Sequence, residues 1–130
     1  MCGIAGFIAF EKIDTEQVLH KMISKLNHRG PDSTGFWWDN FNNIGLSHAR
    51  LSILDLAETG NQPMTSASGK YIMVFNGEIY NHLDIRKNLE KVTSISWRGT
   101  SDTETLLYAF EEWGIKKTIE NCVGMFAIAL

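Results

Sequence analysis

The spacing of apolar positions changes several times along this chain, and each change marks an element. Residues 2–10 (CGIAGFIAF) are apolar almost throughout, as a buried strand is. Asp14 followed by Gln17 resembles a capping box. Val18, Leu19, Met22, Ile23 and Leu26 then recur at helical spacing and predict about three turns ending near Asn27. Residues 35–39 and 44–50 read as paired strands joined by the turn Asn40-Phe41-Asn42-Asn43. A loop rich in turn residues covers 58–70, and 71–75 (YIMVF) reads as another buried strand. Asn81 is placed to cap a short helix through about Glu90, and Ile95-Ser96-Trp97 reads as a further short strand. Ser101-Asp102-Thr103-Glu104 is a capping box ahead of Leu106, Leu107, Phe110 and Trp113, which share a helical face ended by Gly114. Residues 124–130 (GMFAIAL) form an apolar strand with no cap or polar tail. The expectation is one domain over 1–130, truncated at its C-terminus as part of a longer protein.

Composition narrows the classes. With 130 residues, 44% apolar and 21% charged, the chain reads as one soluble core. A net charge of -3 and scattered Lys and Arg leave no electrostatic footprint for nucleic acid. The N-terminal apolar run lacks a basic start and a cleavage signature and is too short to span a bilayer, so a cytoplasmic protein is expected, with no membrane partner. Cys2 and Cys122 have no CxxC neighbours, and His20, His28, His48 and His82 have no partner at metal-ligand spacing. Neither a metal site nor a disulfide framework is expected, and Cys122 is read as a buried filler.

Cys2 changes the picture. Once Met1 is removed, this residue carries both a thiol and the free α-amino group. An amine with a reference pKa of roughly 7.7–8.0 lies close to a thiol at about 8.5, so it can manage the thiol's proton near neutral pH. The plainer reading, a small apolar residue at the start of a strand, stands beside this one.

Further motifs follow in order: His28-Arg29-Gly30-Pro31-Asp32-Ser33-Thr34-Gly35, Ser47-His48-Ala49-Arg50-Leu51-Ser52-Ile53-Leu54-Asp55, Gln62-Pro63-Met64, Phe75-Asn76-Gly77-Glu78-Ile79-Tyr80-Asn81, Ser101-Asp102-Thr103-Glu104 and Gly124-Met125-Phe126-Ala127. Behind the Met-Cys-Gly-Ile start, this set resembles the glutaminase domain of class II glutamine amidotransferases, in the asparagine synthetase branch. The resemblance implies an α+β fold, the N-terminal-nucleophile (Ntn) hydrolase αββα sandwich of two antiparallel sheets flanked by helices. It implies hydrolysis of L-glutamine to glutamate and ammonia through a Cys2 thioester. No cofactor is implied in this domain; ATP and Mg belong to a downstream synthetase domain that uses the ammonia. A homodimer is compatible with this reading.

The residue types suit that chemistry. Amide hydrolysis needs a nucleophile, donors for an oxyanion, and groups that hold a zwitterion. The Asn76 carboxamide and the Gly77 N–H are neutral donors, although Asn-Gly after a strand is also a common hairpin signal. Arg50 suits an α-carboxylate, and Asp102 with Glu78 suits an α-ammonium. The alternatives are a surface arginine at a strand end and a helix-capping aspartate. By resemblance, Arg50, Leu51, Ser52, Ile53, Leu54, Asn76, Gly77, Glu78 and Asp102 line the glutamine pocket. Gly30-Pro31-Asp32 reads as a structural loop near the nucleophile with no catalytic step. Two other functions stand as alternatives: another Ntn cysteine amidase or acylase, and a catalytically inert binding or regulatory domain.

Overall fold

The computed structural model describes residues 2–52 and 57–130. Its architecture is α+β: two antiparallel sheets face each other, and helices cover their outer faces, an Ntn-type sandwich. In the first sheet, β3 (Ile44–Arg50) lies between β1 (Gly3–Ile8) and β2 (Ser33–Asp39). In the second, β5 (Ile72–Ile79) lies between the short β4 (Met64–Thr65) and β6 (Gly124–Ala129).

Strand alternation sorts the side chains of each sheet. On β5, Met73, Phe75 and Ile79 enter a core shared with Ile85 and Leu89 of α2 (His82–Glu90) and with Leu106, Leu107 and Phe110 of α3 (Asp102–Trp113). The intervening Ile72, Val74 and Asn76 look toward the first sheet. On β3, Gly45 lies under Leu19 of α1 (Thr15–Ser24), while Ile44, Leu46, His48 and Arg50 share the opposite, inner face. An apolar cleft of about 1090 Å³ opens between the sheets, with Ile4, Leu46, Ile72, Val74 and Ala129 among its walls.

Local signals account for most boundaries. Asp14 caps α1 by accepting from the Gln17 N–H at 3.0 Å, and Ser101 caps α3 by accepting from the Glu104 N–H at 3.2 Å. Asp39 Oδ1 accepts from the N–H groups of Phe41 and Asn42, closing the turn between β2 and β3.

Several expectations need correction. Helix α1 ends at Ser24, earlier than Asn27, and its ladder gives way to tighter bonds such as Leu26 N to Ile23 O and Arg29 N to Leu26 O. The chain has to turn there, because Gly30 seats so closely on β3 that an added Cβ would stand 2.1 Å from the Ala49 carbonyl. Ile95-Ser96-Trp97 is not a strand. Trp97 instead stacks edge-on against Tyr108, lies under the Arg86 guanidinium and donates to Glu90, so side chains rather than a ladder fix this segment. Asn81 stands at the start of α2 without capping it; its carboxamide spans to Asn121 O and Val123 N. Cys122 is half-buried rather than enclosed, packs against the second sheet's core, and has its thiol pKa pushed up by burial. Helix α4 (Ile115–Asn121) and strand β4 were not foreseen.

Strand β5 runs on past Phe75, through Asn76 and Gly77, which pair with Ala127 and Phe126 of β6. The hairpin alternative for Asn-Gly is thereby removed. Gly77 has φ 156°, and a Cβ there would stand 2.3 Å from the Met125 carbonyl, so the close approach of β6 requires glycine.

Candidate active site

Cys2 stands immediately before β1, half-buried beside the end of β3. The backbone N–H of Leu51 donates to its sulfur at 3.3 Å, and the thiol in turn approaches the Leu51 carbonyl at 3.5 Å. The loop after α1 holds this end of β3 in place: Asp32 N donates to Arg50 O, and Asp32 Oδ2 accepts from Ser52 N at 2.7 Å. The Gly30-Pro31-Asp32 turn therefore supports the backbone that touches the nucleophile, as the structural reading of that loop expected.

A cavity of about 160 Å³ opens beside Cys2 and is bounded by Arg50, Asn76, Gly77 and Asp102. Leu51, Ser52 and Glu78 also reach it, Glu78 from its exposed rim. Ile53 and Leu54 lie outside the described residues. Every other residue singled out for the site is thus brought to one cavity from the start of β1, the end of β3 and the residues after it, β5 and α3.

Arg50 is not a surface arginine: it is 8% exposed, and its Nη1 donates to Asn61 Oδ1 at 2.7 Å. Asp102 is 5% exposed and occupies the first position of α3, after the capping Ser101. Burial raises the pKa of its carboxyl group. The Ile79 N–H, donated to Oδ2 at 3.0 Å, opposes that shift, as does the neighbouring His82. A buried carboxylate held this way favours a cationic partner.

The edge of β5 supplies a donor. Phe75 N–H is taken by Gln62 Oε1 at 2.6 Å and Ile79 N–H by Asp102 Oδ2. The two-residue period of a strand sends the Gly77 N–H to the same edge, between these two. Gln62, buried and also donating to Thr103 Oγ1 at 3.1 Å, ties β5 to α3. Its bridging role was not read from the sequence.

His48 was also passed over. It is 1% exposed and borders the same cavity. Burial lowers its pKa to about 4; a loose approach to the Phe75 backbone works against the shift and the Arg50 charge adds to it. That approach falls short of a hydrogen bond, since neither ring nitrogen has a partner among the described residues. Its position two residues before Arg50, on one strand face, was the available signal.

Among the described residues no group of three or more His, Cys, Asp and Glu side chains is arranged to hold a metal ion, and no helix is long and apolar enough to cross a membrane.

Residues 1–130 match the glutamine amidotransferase domain family, and the chain belongs to it. Among curated proteins it is 36% identical over 134 residues to asparagine synthetase [glutamine-hydrolyzing] 3 of Bacillus subtilis, covering 100% of this chain and 21% of that protein. It is 37% identical over 148 residues to a putative asparagine synthetase [glutamine-hydrolyzing] 2 of Methanocaldococcus jannaschii, covering 100% of this chain and 27% of that protein. Amidase chry2 of Gibberella zeae is 33% identical over 141 residues, covering 100% of this chain and 21% of that protein. The chain thus spans between a fifth and three-tenths of the length of these relatives.

Proposed function

We propose that this chain hydrolyses the side-chain amide of L-glutamine and passes the ammonia to a synthetase domain of the same protein, in an asparagine synthetase-type reaction. The observation that carries this reading is one small cavity joining Cys2, two neutral donors and two buried charges of opposite sign.

Each residue then has a role. Glutamine is bound with its α-carboxylate on Arg50 and its α-ammonium between Asp102 and Glu78. Asn61 accepts from Nη1 of the Arg50 guanidinium at 2.7 Å and so orients it at the cavity wall. Leu51 and Ser52 complete the pocket wall. Cys2, freed of Met1, attacks the amide carbon, and its own α-amino group takes the thiol proton. The Leu51 N–H, 3.3 Å from the sulfur, holds it at the edge of the cavity. Negative charge developing on the amide oxygen is met by the Asn76 NH₂ and the Gly77 N–H. The amine returns its proton to the leaving nitrogen, ammonia departs, and water cleaves the thioester to release glutamate.

The assignment of residues 1–130 to a glutaminase domain, an ATP- and Mg-dependent synthetase domain in the full-length protein and aspartate as the acceptor belong to the same proposal. So does a cytosolic setting, where thiols stay reduced. The paired charges of Arg50 and Asp102 favour a free amino acid over the N-acyl substrates of other Ntn amidases. Supplying the full-length protein with amide-labelled glutamine tests this: labelled ammonia and glutamate are expected. Turnover of N-acyl amides with none of glutamine would overturn the reading, as would inertness toward both.

A further inference from the structure

His48 on β3 and Asn76 on β5 lie on facing central strands and border the same cavity. Each carries a buried polar atom without a hydrogen-bond partner among the described residues: both ring nitrogens of His48, and Oδ1 of Asn76. Orphaned buried polar atoms are uncommon and costly, and two sets of them beside one cavity call for a common partner. Within its own sheet, Ile4 and Gly35 are the cross-strand neighbours of His48 and Leu46 shares its strand face, and none of these has a polar side chain. The Phe75 backbone approaches the ring without closing a hydrogen bond, and the cavity is the side on which a partner fits.

The chemistry of the two groups is complementary. A neutral imidazole offers one N–H, and a carboxamide oxygen accepts. The cavity is roomy enough for a water molecule between polar groups. A water that accepts from the imidazole N–H and donates to Oδ1 satisfies both. A carboxamide whose oxygen is held inward presents its NH₂ outward, the direction in which an oxyanion donor is needed.

We propose that His48 is a positioning residue for glutamine hydrolysis, which fixes the Asn76 carboxamide through one bridging water so that its NH₂ faces the developing oxyanion. His48 touches neither glutamine nor the sulfur in this arrangement. Because the contact being positioned strengthens only as the oxyanion forms, the effect falls on kcat rather than on KM. The inference rests on the glutaminase reading above.

The test uses the full-length protein with His48→Leu, His48→Gln, Asn76→Ala and the His48→Leu/Asn76→Ala double variant. His48→Leu is expected to lower kcat by about 10- to 100-fold with KM for glutamine nearly unchanged. His48→Gln, which keeps an N–H donor, should recover much of that loss. In the Asn76→Ala background, His48→Leu should add little, because the group it positions is gone. A second readout needs no variant: nitrogen-resolved NMR of the wild type should find His48 as one neutral tautomer with a slowly exchanging N–H. Wild type inactive toward glutamine would overturn the hydrolytic reading together with this one. Active wild type in which His48→Leu keeps its kcat, or acts in full on top of Asn76→Ala, would overturn this inference alone. If His48→Leu does not fold, two equally populated tautomers in the wild type would overturn it.

Discussion

The carboxylate of Asp102 accepts the backbone N–H of Ile79 at 3.0 Å, so the first residue of α3 is joined to the far end of β5. The bond holds a buried charge at the wall of the cavity and fixes the strand edge on which Gly77 lies. Because burial is the larger influence, the Asp102 pKa is raised. The native state then binds a proton more readily than the unfolded chain. The stabilising effect of protonation is complete below the unfolded value of about 3.8 and is lost as pH rises through the native pKa. Asp102→Asn, which keeps an acceptor for Ile79, should therefore melt higher than wild type at neutral pH while its KM for glutamine rises. Denaturation from pH 4 to 7 beside glutamine kinetics checks both halves; lower stability with unchanged KM would contradict them.

Replacing Asn76 by Ala should lower glutamine turnover by roughly 100- to 1000-fold, the usual effect of losing one oxyanion donor. Thermal melting should change little, since Asn76 is half-buried beside an open cavity and no protein group among the described residues bonds its Oδ1. Turnover and melting on one preparation separate a catalytic effect from a folding one.

Arg50→Lys should raise the KM for glutamine strongly despite keeping the charge. An ammonium cannot serve Asn61 and a carboxylate together as a planar fork does. Isothermal titration of a Cys2→Ala form, with and without the Arg50 change, measures the ligand affinity directly.

His48 carries the opposite pH signature to Asp102. Its pKa falls from 6.5 to about 4 on folding, so the unfolded chain binds the extra proton first. Stability present above pH 6.5 is lost on acidification through about pH 4, by roughly 3 kcal/mol at most. A His48→Leu variant should lose less stability across that interval. Urea titrations at pH 7, 5.5 and 4.5 compare the slopes.

Met1 bears on the nucleophile itself. While it remains attached, the Cys2 nitrogen is an amide and has no basic lone pair. Activity should follow the fraction of molecules lacking Met1 in intact-mass spectra, and a glutamine-like electrophile should label Cys2 rather than Cys122. Full glutaminase activity in a homogeneous Met1-bearing sample would exclude the α-amino group as base.

The elements that sequence made legible are those with local signals. The Asp14 and Ser101 caps, the Asp39 turn and the apolar strands each depend on residues a few positions apart. Periodicity failed where side chains from distant elements replaced a ladder. Trp97 looks like a strand residue but is held by Arg86, Glu90 and Tyr108. Helix α4 went unread because it is seven residues long and Ile115 and Ile119 alone give it no strong apolar face. For the site, motif resemblance supplied residues that geometry then gathered into one cavity. His48 and Gln62 were missed because their importance lies in what meets them across the sandwich, which no spacing along the chain records.

An unpaired strand edge ordinarily invites another chain to pair with it, and the stretch of β5 beyond β4 is such an edge. Here Gln62 and Asp102 occupy the donors at Phe75 and Ile79, like two pegs set on either side of Gly77. An incoming strand needs consecutive bonds, and two of the three donors at Phe75, Gly77 and Ile79 are already taken. A single amide oxygen needs only the third. The contacts that isolate Gly77 for a small molecule therefore also guard the domain against edge-to-edge aggregation, and loosening either peg would trade solubility along with catalysis.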